Sequence, residues 1–176
     1  MDACDGVVRA ATETDLGALA ELWLRSRRAT SLIPPPVHSD DEVRAWFRDE
    51  VVPSGDAWVA TRATTLAAMM VLKADWVEQL YVDPARVRQG YGSLLLRFAQ
   101  SSRSELALWT FEANTPARAF YERHGFRVRG QASCDNEEGH PALRYCWKRE
   151  GHCEAASGRA VRTGQADGRL RPESHG

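Results

Sequence analysis

Length, composition and charge define what kind of protein this chain can be. It has 176 residues, 43% hydrophobic and 27% charged, which fits one globular domain rather than two. Lys and Arg number 23 and Asp and Glu 24, a formal charge of -1, so we expect no nucleic-acid or membrane partner, since such binders carry a basic excess. No apolar run has membrane-spanning length, and residues 1–5 lack the apolar core of a signal peptide. We therefore expect a cytoplasmic protein.

Two features of the chain limit its domain organisation and metal chemistry. Residues 151–176 contain five glycines, no aromatic residue and no hydrophobic periodicity, so they predict a disordered tail behind a single domain over residues 1–150. The four cysteines form no CxxC pair, and their spacing relative to the histidines matches no zinc module. We therefore expect no metal site.

The first third of the chain predicts one strand and two helices. Residues 6–10 are strand-like, and either Thr12 or Thr14 can cap a helix with leucines at helical spacing. Three consecutive prolines keep residues 30–38 out of a helix. A capping box that begins at Ser39 opens the second helix.

The rest of the chain alternates strands with helices. Strand-like runs over 57–60, 66–72 and 76–82 begin this part, the first two joined as an antiparallel hairpin. A helix, a strand over 106–111, a second helix ending at Gly125 and two closing strands follow. This order predicts an α/β or α+β domain with a single mixed, mostly antiparallel central sheet flanked by helices.

The run over residues 80–96 combines a strand end, a basic loop with two glycines and a helix start. Such a turn directs backbone N–H groups at one point, and the partial positive charge of the helix N-terminus favours a phosphate there. Gly90 and Gly92 would let a ligand approach the backbone, with Arg86 and Arg88 beside it. The loop lacks the residues of a Walker loop and of a dinucleotide fingerprint. Either a pyrophosphate cradle or a plain glycine turn explains it.

A second run, residues 114–126, reads Asn-Thr-Pro-Ala-Arg-Ala-Phe-Tyr-Glu-Arg-His-Gly-Phe. Together, in order and separation, the two runs resemble the GNAT superfamily of N-acetyltransferases. The first is similar to that family's Gln/Arg-x-x-Gly-x-Gly/Ala pyrophosphate motif and the second to its Asn-x-x-Ala…Phe-Tyr-Glu-x-x-Gly-Phe helix. The resemblance covers residues 6 to 149. One position departs from the pattern, because Val87 stands where the family prefers Gln or Arg.

The resemblance implies acetyl-CoA as co-substrate and a GNAT-like acyltransferase fold. Asn114 resembles the residue that holds the pantetheine arm, although it can equally be a simple helix N-cap. The implied cofactor contacts are Leu80, Tyr81, Val82, Arg88, Gln89, Gly90, Tyr91, Gly92, Ser93 and Asn114.

The resemblance also implies the catalytic groups. An alkyl ammonium must lose a proton before it can attack a thioester, and a carboxylate with a raised pKa can take that proton. Glu78 lies where many family members carry this base, but a solvent-facing strand residue explains it equally well. Asp75 and Glu112 are the substitutes. Tyr121 matches the family's general acid, and its other interpretation is a core tyrosine.

Two further roles follow the same resemblance. The N–H of Tyr81 or Val82 would stabilise the oxyanion, and the loop over 30–38 would wall the acceptor site.

The acidic run 135–138 could attract a cationic amine, but we favour a solvated loop. His124 is expected to interact with the end of its helix rather than to act as a base. The tryptophans at 23, 46, 58, 76 and 109 are expected in the core.

These observations lead to one principal hypothesis and one alternative. The principal hypothesis is acetyl transfer from acetyl-CoA to a primary amine of a small molecule or peptide, by direct attack in a ternary complex. The alternative is a non-catalytic acyl-CoA-binding regulatory module. The pairing of Glu78 with Tyr121 favours the enzyme. The sequence leaves a homodimer open.

Overall fold

The structure, a computed structural model, describes residues 6–130 and 132–149. The sequence-predicted tail over 151–176 lies outside the described residues. Within them, no helix is long and apolar enough to cross a membrane.

Seven strands form one open sheet in the order β1-β2-β3-β4-β5-β7-β6. All neighbouring pairs are antiparallel except β4 and β5, which are parallel. The predicted mixed, mostly antiparallel sheet is therefore confirmed. The strands are β1 (Val7–Ala10), β2 (Ala57–Arg62), β3 (Thr65–Lys73), β4 (Trp76–Val82), β5 (Glu105–Phe111), β6 (Arg127–Val128) and β7 (Ala142–Lys148).

Four α-helices flank the sheet: α1 (Leu16–Arg28), α2 (Asp40–Trp46), α3 (Tyr91–Ser102) and α4 (Thr115–Arg123). Of the two threonines proposed as the first cap, Thr12 takes the role, in a capping box with Asp15 that opens a short 3-10 turn before α1. Ser39 caps α2 as predicted, accepting the backbone N–H of Glu42. The second helix continues into a π-helical turn, Phe47–Val51, which keeps its apolar side chains against the sheet.

Each face of the sheet carries its own hydrophobic core. Helices α3 and α4 cover one face, where Leu95, Leu96 and Tyr145 are fully buried. Helices α1 and α2 cover the β2–β4 part of the other face, over Val59 and Met69. The alternation of inward and outward residues along the strands divides the apolar side chains between these two cores.

The sheet is split between β4 and β5. The two strands pair only at Trp76 and Ala107, near their beginnings, and a bulge in the β3–β4 pairing occurs opposite Glu78. Beyond the Trp76–Ala107 pair, β4 has no hydrogen-bonded partner in β5. The backbone groups on that side of β4 therefore face a gap. Unpaired backbone groups inside a sheet are ready to hydrogen-bond an extended ligand.

The expectation that five tryptophans lie in the core is wrong for two of them. Trp23 is buried, and Trp46 and Trp58 pack partly against the cores. Trp109 is 36% exposed, and Trp76 is partly exposed and belongs to neither core. Leu106 and Leu108 take the core-facing positions of β5, so Trp109 points to the opposite face, beyond the area that α1 and α2 cover.

Candidate active site

The loop before α3 forms the predicted cradle from backbone rather than from side chains. Gly90 is the N-cap of α3 and has φ of 91°, a left-handed conformation that glycine adopts without strain. The N–H groups of the first helical turn, at Tyr91, Gly92 and Ser93, have no acceptor within the helix. They and the helix dipole form a site for an anion at this end of α3.

Two cradle residues owe their identity to packing. A Cβ on Gly92 would lie 3.2 Å from Val82 Cγ2 and 3.4 Å from Phe120 Cζ, so glycine here lets α3 approach β4 and α4. The Tyr91 ring is 2% exposed and lies in the core. The expectation that Gly92 makes room for a ligand therefore needs correction: its missing side chain makes room for the protein.

The remaining loop residues are polar and locally tied. Asp83 accepts the N–H of Ala85 and pairs with Arg25 of α1 at 2.7 Å, and Gln89 Nε2 donates to the Ala85 carbonyl at 3.4 Å. Val87, the departure from the family motif, is 54% exposed. Its isopropyl group contributes no polar contact, which leaves Arg86 and Arg88 as the cations of the loop.

The gap side of β4 offers two backbone N–H groups. Asp83 N–H donates to the Ala67 carbonyl of β3 at 2.9 Å. Because bonding alternates along an antiparallel pair, the Tyr81 N–H also points to β3, while those of Leu80 and Val82 point into the gap. Of the two oxyanion donors left open by the sequence, only Val82 points its N–H into the gap, and its side chain lies beside Gly92 of the cradle. Its carbonyl accepts from Ser26 Oγ at 3.0 Å.

Tyr121 of α4 lies in an aromatic cluster and is 8% exposed. Its ring centroid is 5.8 Å from that of Phe126 and 6.3 Å from that of Tyr145. Burial raises the pKa of Tyr121 far above its ordinary value, and a negative charge on Tyr81 would raise it further. The hydroxyl therefore stays protonated at neutral pH, as a proton donor must.

The ends of α4 are fixed as the sequence predicts. Asn114 Oδ1 accepts the N–H of Ala117 at 3.3 Å, so Asn114 is an N-cap, and its amide NH₂ remains for a ligand. His124 Nδ1 lies 2.8 Å from the Phe120 carbonyl near the helix end, which agrees with an interaction at the helix terminus. Gln100 of α3 donates to the His124 carbonyl at 2.9 Å, which fixes α4 against α3.

Glu78 occupies the bulge of β4. The Glu78 side chain is exposed, as the solvent-facing alternative predicts. Desolvation nevertheless raises the pKa of its carboxyl group, while Lys73 opposes this shift and Asp56 adds to it. Glu78 precedes Leu80 by two residues, about 7 Å along a strand, so its carboxylate would reach an amine there through water. The substitutes are placed differently: Asp75 lies before β4, 3.8 Å from Arg103, and Glu112 follows β5.

Arg27 of α1 organises the side of the gap away from the cradle. It is 6% exposed, and its Nη2 donates to the Pro34 carbonyl at 3.1 Å and to Glu138 Oε1 at 2.9 Å. Its guanidinium lies 5.3 Å from the Trp23 ring and 5.9 Å from the Phe111 ring. One side chain thus joins α1, the loop over 30–38, β5 and the loop before β7.

Arg27 also lies beside the hydroxyl of Tyr81. Burial raises the pKa of Tyr81, while the charge of Arg27 and a hydrogen bond from it act in the opposite direction. The Tyr81 ring packs edge-on against Trp23 at 5.9 Å. The sequence analysis used only the backbone of Tyr81 and missed Arg27. The available signal was an arginine four residues after Trp23, on the apolar stripe of α1.

The interpretation of run 135–138 as a solvated loop is wrong for its last two residues. Glu138 is held by Arg27, and Glu137 Oε2 lies 3.1 Å from His38 Nε2. Their side chains are 15% and 22% exposed. These contacts join the two loops that face each other across the acceptor side, so neither carboxylate is free for a cationic amine.

A gap between the parallel strands β4 and β5, the N-terminus of α3 and the buried Tyr121 are the features from which an active site could be built. The family model for the acetyltransferase (GNAT) domain matches residues 53–128, from before β2 to β6. This match and the relatives below support a GNAT N-acetyltransferase.

Individual relatives agree with this assignment. The chain is 26% identical over 125 residues to the peptidyl-lysine N-acetyltransferase YiaC of Escherichia coli, covering 69% of this chain and 84% of that one. It is 29% identical over 126 residues to the peptidyl-lysine N-acetyltransferase YjaB of Escherichia coli, with coverage of 67% and 80%.

Solved structures share the fold. The solution structure of apo YjaB from Escherichia coli superimposes with a TM-score of 0.66 at 26% identity, over 81% of this chain and 97% of that one. A PaiA N-acetyltransferase of Thermoplasma acidophilum, solved with coenzyme A, gives a TM-score of 0.61 at 18% identity, over 82% and 99%.

Proposed function

We propose that this protein transfers the acetyl group of acetyl-CoA to the side-chain amine of a lysine in a polypeptide, by direct attack in a ternary complex. The observation that carries the proposal is the gap between β4 and β5, into which the Leu80 and Val82 N–H groups point. Gly92 of the α3 cradle packs beside Val82 and beside Phe120, the neighbour of Tyr121 on α4. Relatives named peptidyl-lysine N-acetyltransferases support the acceptor class.

The cofactor fits this gap in one direction. The pyrophosphate is bound by the N–H groups of Tyr91, Gly92 and Ser93, with Arg86 or Arg88 adding charge. The pantetheine arm then extends along β4 away from the cradle, where Val82 can pair with it as a neighbouring strand would. Asn114 contributes its free amide group from the start of α4. The acetyl thioester arrives beside Leu80, which lies farther from the cradle than Val82.

The reaction follows from the groups around the thioester. The amine nitrogen attacks the acetyl carbonyl, and the C–S bond breaks in the second step. The Leu80 N–H, in place of the Tyr81 or Val82 N–H expected from the sequence, stabilises the tetrahedral oxyanion between the two steps. Glu78 receives the amine proton through water, and its raised pKa suits it to that task. Tyr121 protonates the departing thiolate, so the products are an acetamide and free CoA.

Direct transfer agrees with the chemistry of the site. Cys134 is exposed and lies in the loop before β7, and Cys146 lies on β7, so neither is placed in the gap. A ternary complex requires acceptor and acetyl-CoA to enter from different sides. The cradle lies on the face of the sheet that α3 and α4 cover, and the walls built by Arg27 lie on the face that α1 covers.

The test is an acceptor screen with acetyl-CoA that reads free thiol and product mass together. Lysine-containing peptides, free amino acids and polyamines form the panel, and Tyr121→Phe is the control for enzyme-dependent turnover. We expect peptide acetylation on the lysine Nζ with one thiol released per acetyl group. Acetyl-CoA binding without thiol release from any acceptor would instead establish a non-catalytic acyl-CoA-binding module.

A further inference from the structure

A part of the sheet next to the candidate active site carries aromatic rings and arginines without a helix over it. Leu106, Leu108 and Val77 lie in the core beneath α3 and α4. By strand alternation, Trp76 and Trp109 therefore lie on the other face. We name this surface the aromatic face: Trp76 of β4, Trp109 and Phe111 of β5, Arg144 of β7 and Arg127 of β6.

The residues of the aromatic face touch one another in a row. Arg144 is the cross-strand partner of Trp109, and its guanidinium lies 5.2 Å from the ring of Trp76. Arg127 occupies the next position as the partner of Cys146, two residues along β7. Trp109 is 36% exposed, and an exposed aromatic ring beside unpaired cations can form part of a binding surface.

The charge of the aromatic face is positive. Among residues 6–130 and 132–149, neither Arg144 nor Arg127 forms an ion pair, and Arg144 Nε is buried without a hydrogen-bond partner. At the end of the same strands, Glu105 lies 3.7 Å from Lys148, so its charge is already balanced. Arg144, whose guanidinium lies over the Trp76 ring, and the exposed Arg127 therefore lie on this face with no carboxylate paired to them among the described residues.

The aromatic face is continuous with the reaction centre. Phe111 lies two residues from Trp109 on the same side of β5, and its ring contacts Arg27, which lies beside Tyr81. Trp76 lies two residues before Glu78 on β4. A polypeptide with its lysine in the gap would extend its neighbouring residues across this face.

We infer that the aromatic face binds the segment of the acceptor polypeptide next to the target lysine, and that Arg144 selects a Glu or Asp there. This rests on the proposed function and specifies its substrate class. A carboxylate can form a charge-assisted pair with the Arg144 guanidinium, which already stacks on Trp76 and needs little ordering. The tryptophan rings add sequence-tolerant apolar contact.

The experiment compares short single-lysine peptides that differ only in the residues next to lysine, which are Glu, Ala or Arg. We expect kcat/KM for the Glu peptides to exceed that for the Arg peptides by about tenfold, since a hydrogen bond to a charged group has that strength. Arg144→Glu should reverse the order. Arg97→Glu, an equal charge change on the exposed side of α3, should preserve it.

Measurements on three variants distinguish a loss of peptide binding from a folding defect. The Kd for acetyl-CoA should be unchanged in Arg144→Glu, and Arg144→Gln should lose the preference without reversing it. Trp109→Ala should raise KM for every peptide while kcat for a small amine stays the same.

The outcomes separate the two proposals. Acetylation of peptides at rates that do not depend on neighbouring charge, in the native protein and in Arg144→Glu, overturns the aromatic face alone. Acetylation of small amines but of no peptide overturns the peptide acceptor together with it. A change of oligomeric state in Trp109→Ala, with peptide selectivity intact, identifies a contact between copies and also overturns the inference.

Discussion

The buried contact between Arg27 and Glu138 gives the sharpest stability prediction. In Arg27→Met the side chain keeps its length and its contact with Trp23, but Glu138 loses the partner 2.9 Å away. The Glu138 side chain is 15% exposed, so its charge stays largely out of water. Removing one member of a buried pair costs about 3–5 kcal/mol, and we expect the free energy of unfolding to fall by that amount.

The double variant Arg27→Met with Glu138→Gln separates stability from function. Without the carboxylate no uncompensated charge remains, so most of the lost stability should return. The Pro34 carbonyl and the loop before β7 nevertheless stay untied. We therefore expect KM for the acceptor to remain raised, by about tenfold, the loss of one hydrogen bond to a charged group, while the Kd for acetyl-CoA is unchanged.

Urea unfolding followed by tryptophan fluorescence measures the first effect, and steady-state kinetics measures the second. Arg44→Met is the matched control, because Arg44 pairs with Glu21 at the surface, where both side chains are 44% exposed. Such pairs contribute about 0–1 kcal/mol. The reasoning is refuted if Arg27→Met loses no more stability than Arg44→Met, or if the double variant recovers acceptor KM together with stability.

Four other measurements test the site and the fold. Tyr121→Phe should lower kcat by about 10²-fold or more and leave acetyl-CoA affinity intact; near-native turnover, with chemistry rate-limiting, would make the residue structural. Glu78→Gln should flatten the acidic limb of the plot of kcat/KM against pH. The raised pKa of Glu78 places this limb above the ordinary glutamate range. An unchanged limb and an unchanged rate would remove Glu78 from the mechanism. Ser93→Asp should weaken acetyl-CoA binding by charge repulsion while holding or raising Tm, because a carboxylate suits a helix N-terminus; equal affinity would contradict the cradle. Arg9 holds the pKa of Asp15 at about 2, below the ordinary 3.8, so this carboxylate stabilises the fold above pH 4 and loses that effect as pH falls toward 2. Asp15→Asn should remove about 1–2 kcal/mol of stability at pH 7, allowing for a 43% exposed partner, with a smaller difference at pH 2.

Much of the fold could be predicted because its local signals agree with one another. Ser39 and Asn114 are caps in the sequence and in the structure, and the predicted β4 has the observed bounds. The alternation of apolar residues on β3 to β5 fixed which side chains enter the core. Trp109 on β5 is the exception, because alternation does not show whether a helix covers that part of the sheet. The area that α1 covers ends before Trp109.

The candidate site also combines residues that could be predicted from the sequence with residues that only the structure brings together. The cradle prediction follows from a glycine-containing turn before a helix, and the prediction for Tyr121 follows from the resemblance of a contiguous motif to the GNAT family. Assigning the Leu80 and Val82 N–H groups, rather than that of Tyr81, to the gap required the β3–β4 register, which depends on a bulge near Glu78. Arg27 and Glu138 lie 111 residues apart, and no local pattern shows that a buried cation will meet that carboxylate. The packing purpose of Gly92 likewise became visible only with Val82 and Phe120 beside it.

The account's central claim is that the gap between β4 and β5 holds the acetyl thioester for transfer. A crystal structure of this protein with acetyl-CoA tests that claim most directly. We predict pyrophosphate oxygens on the N–H groups of Gly92 and Ser93, pantetheine alongside Val82, and the acetyl oxygen about 2.7–3.1 Å from the Leu80 nitrogen. Acetyl-CoA bound with its thioester outside the gap, or with its pyrophosphate away from the α3 N-terminus, would contradict it.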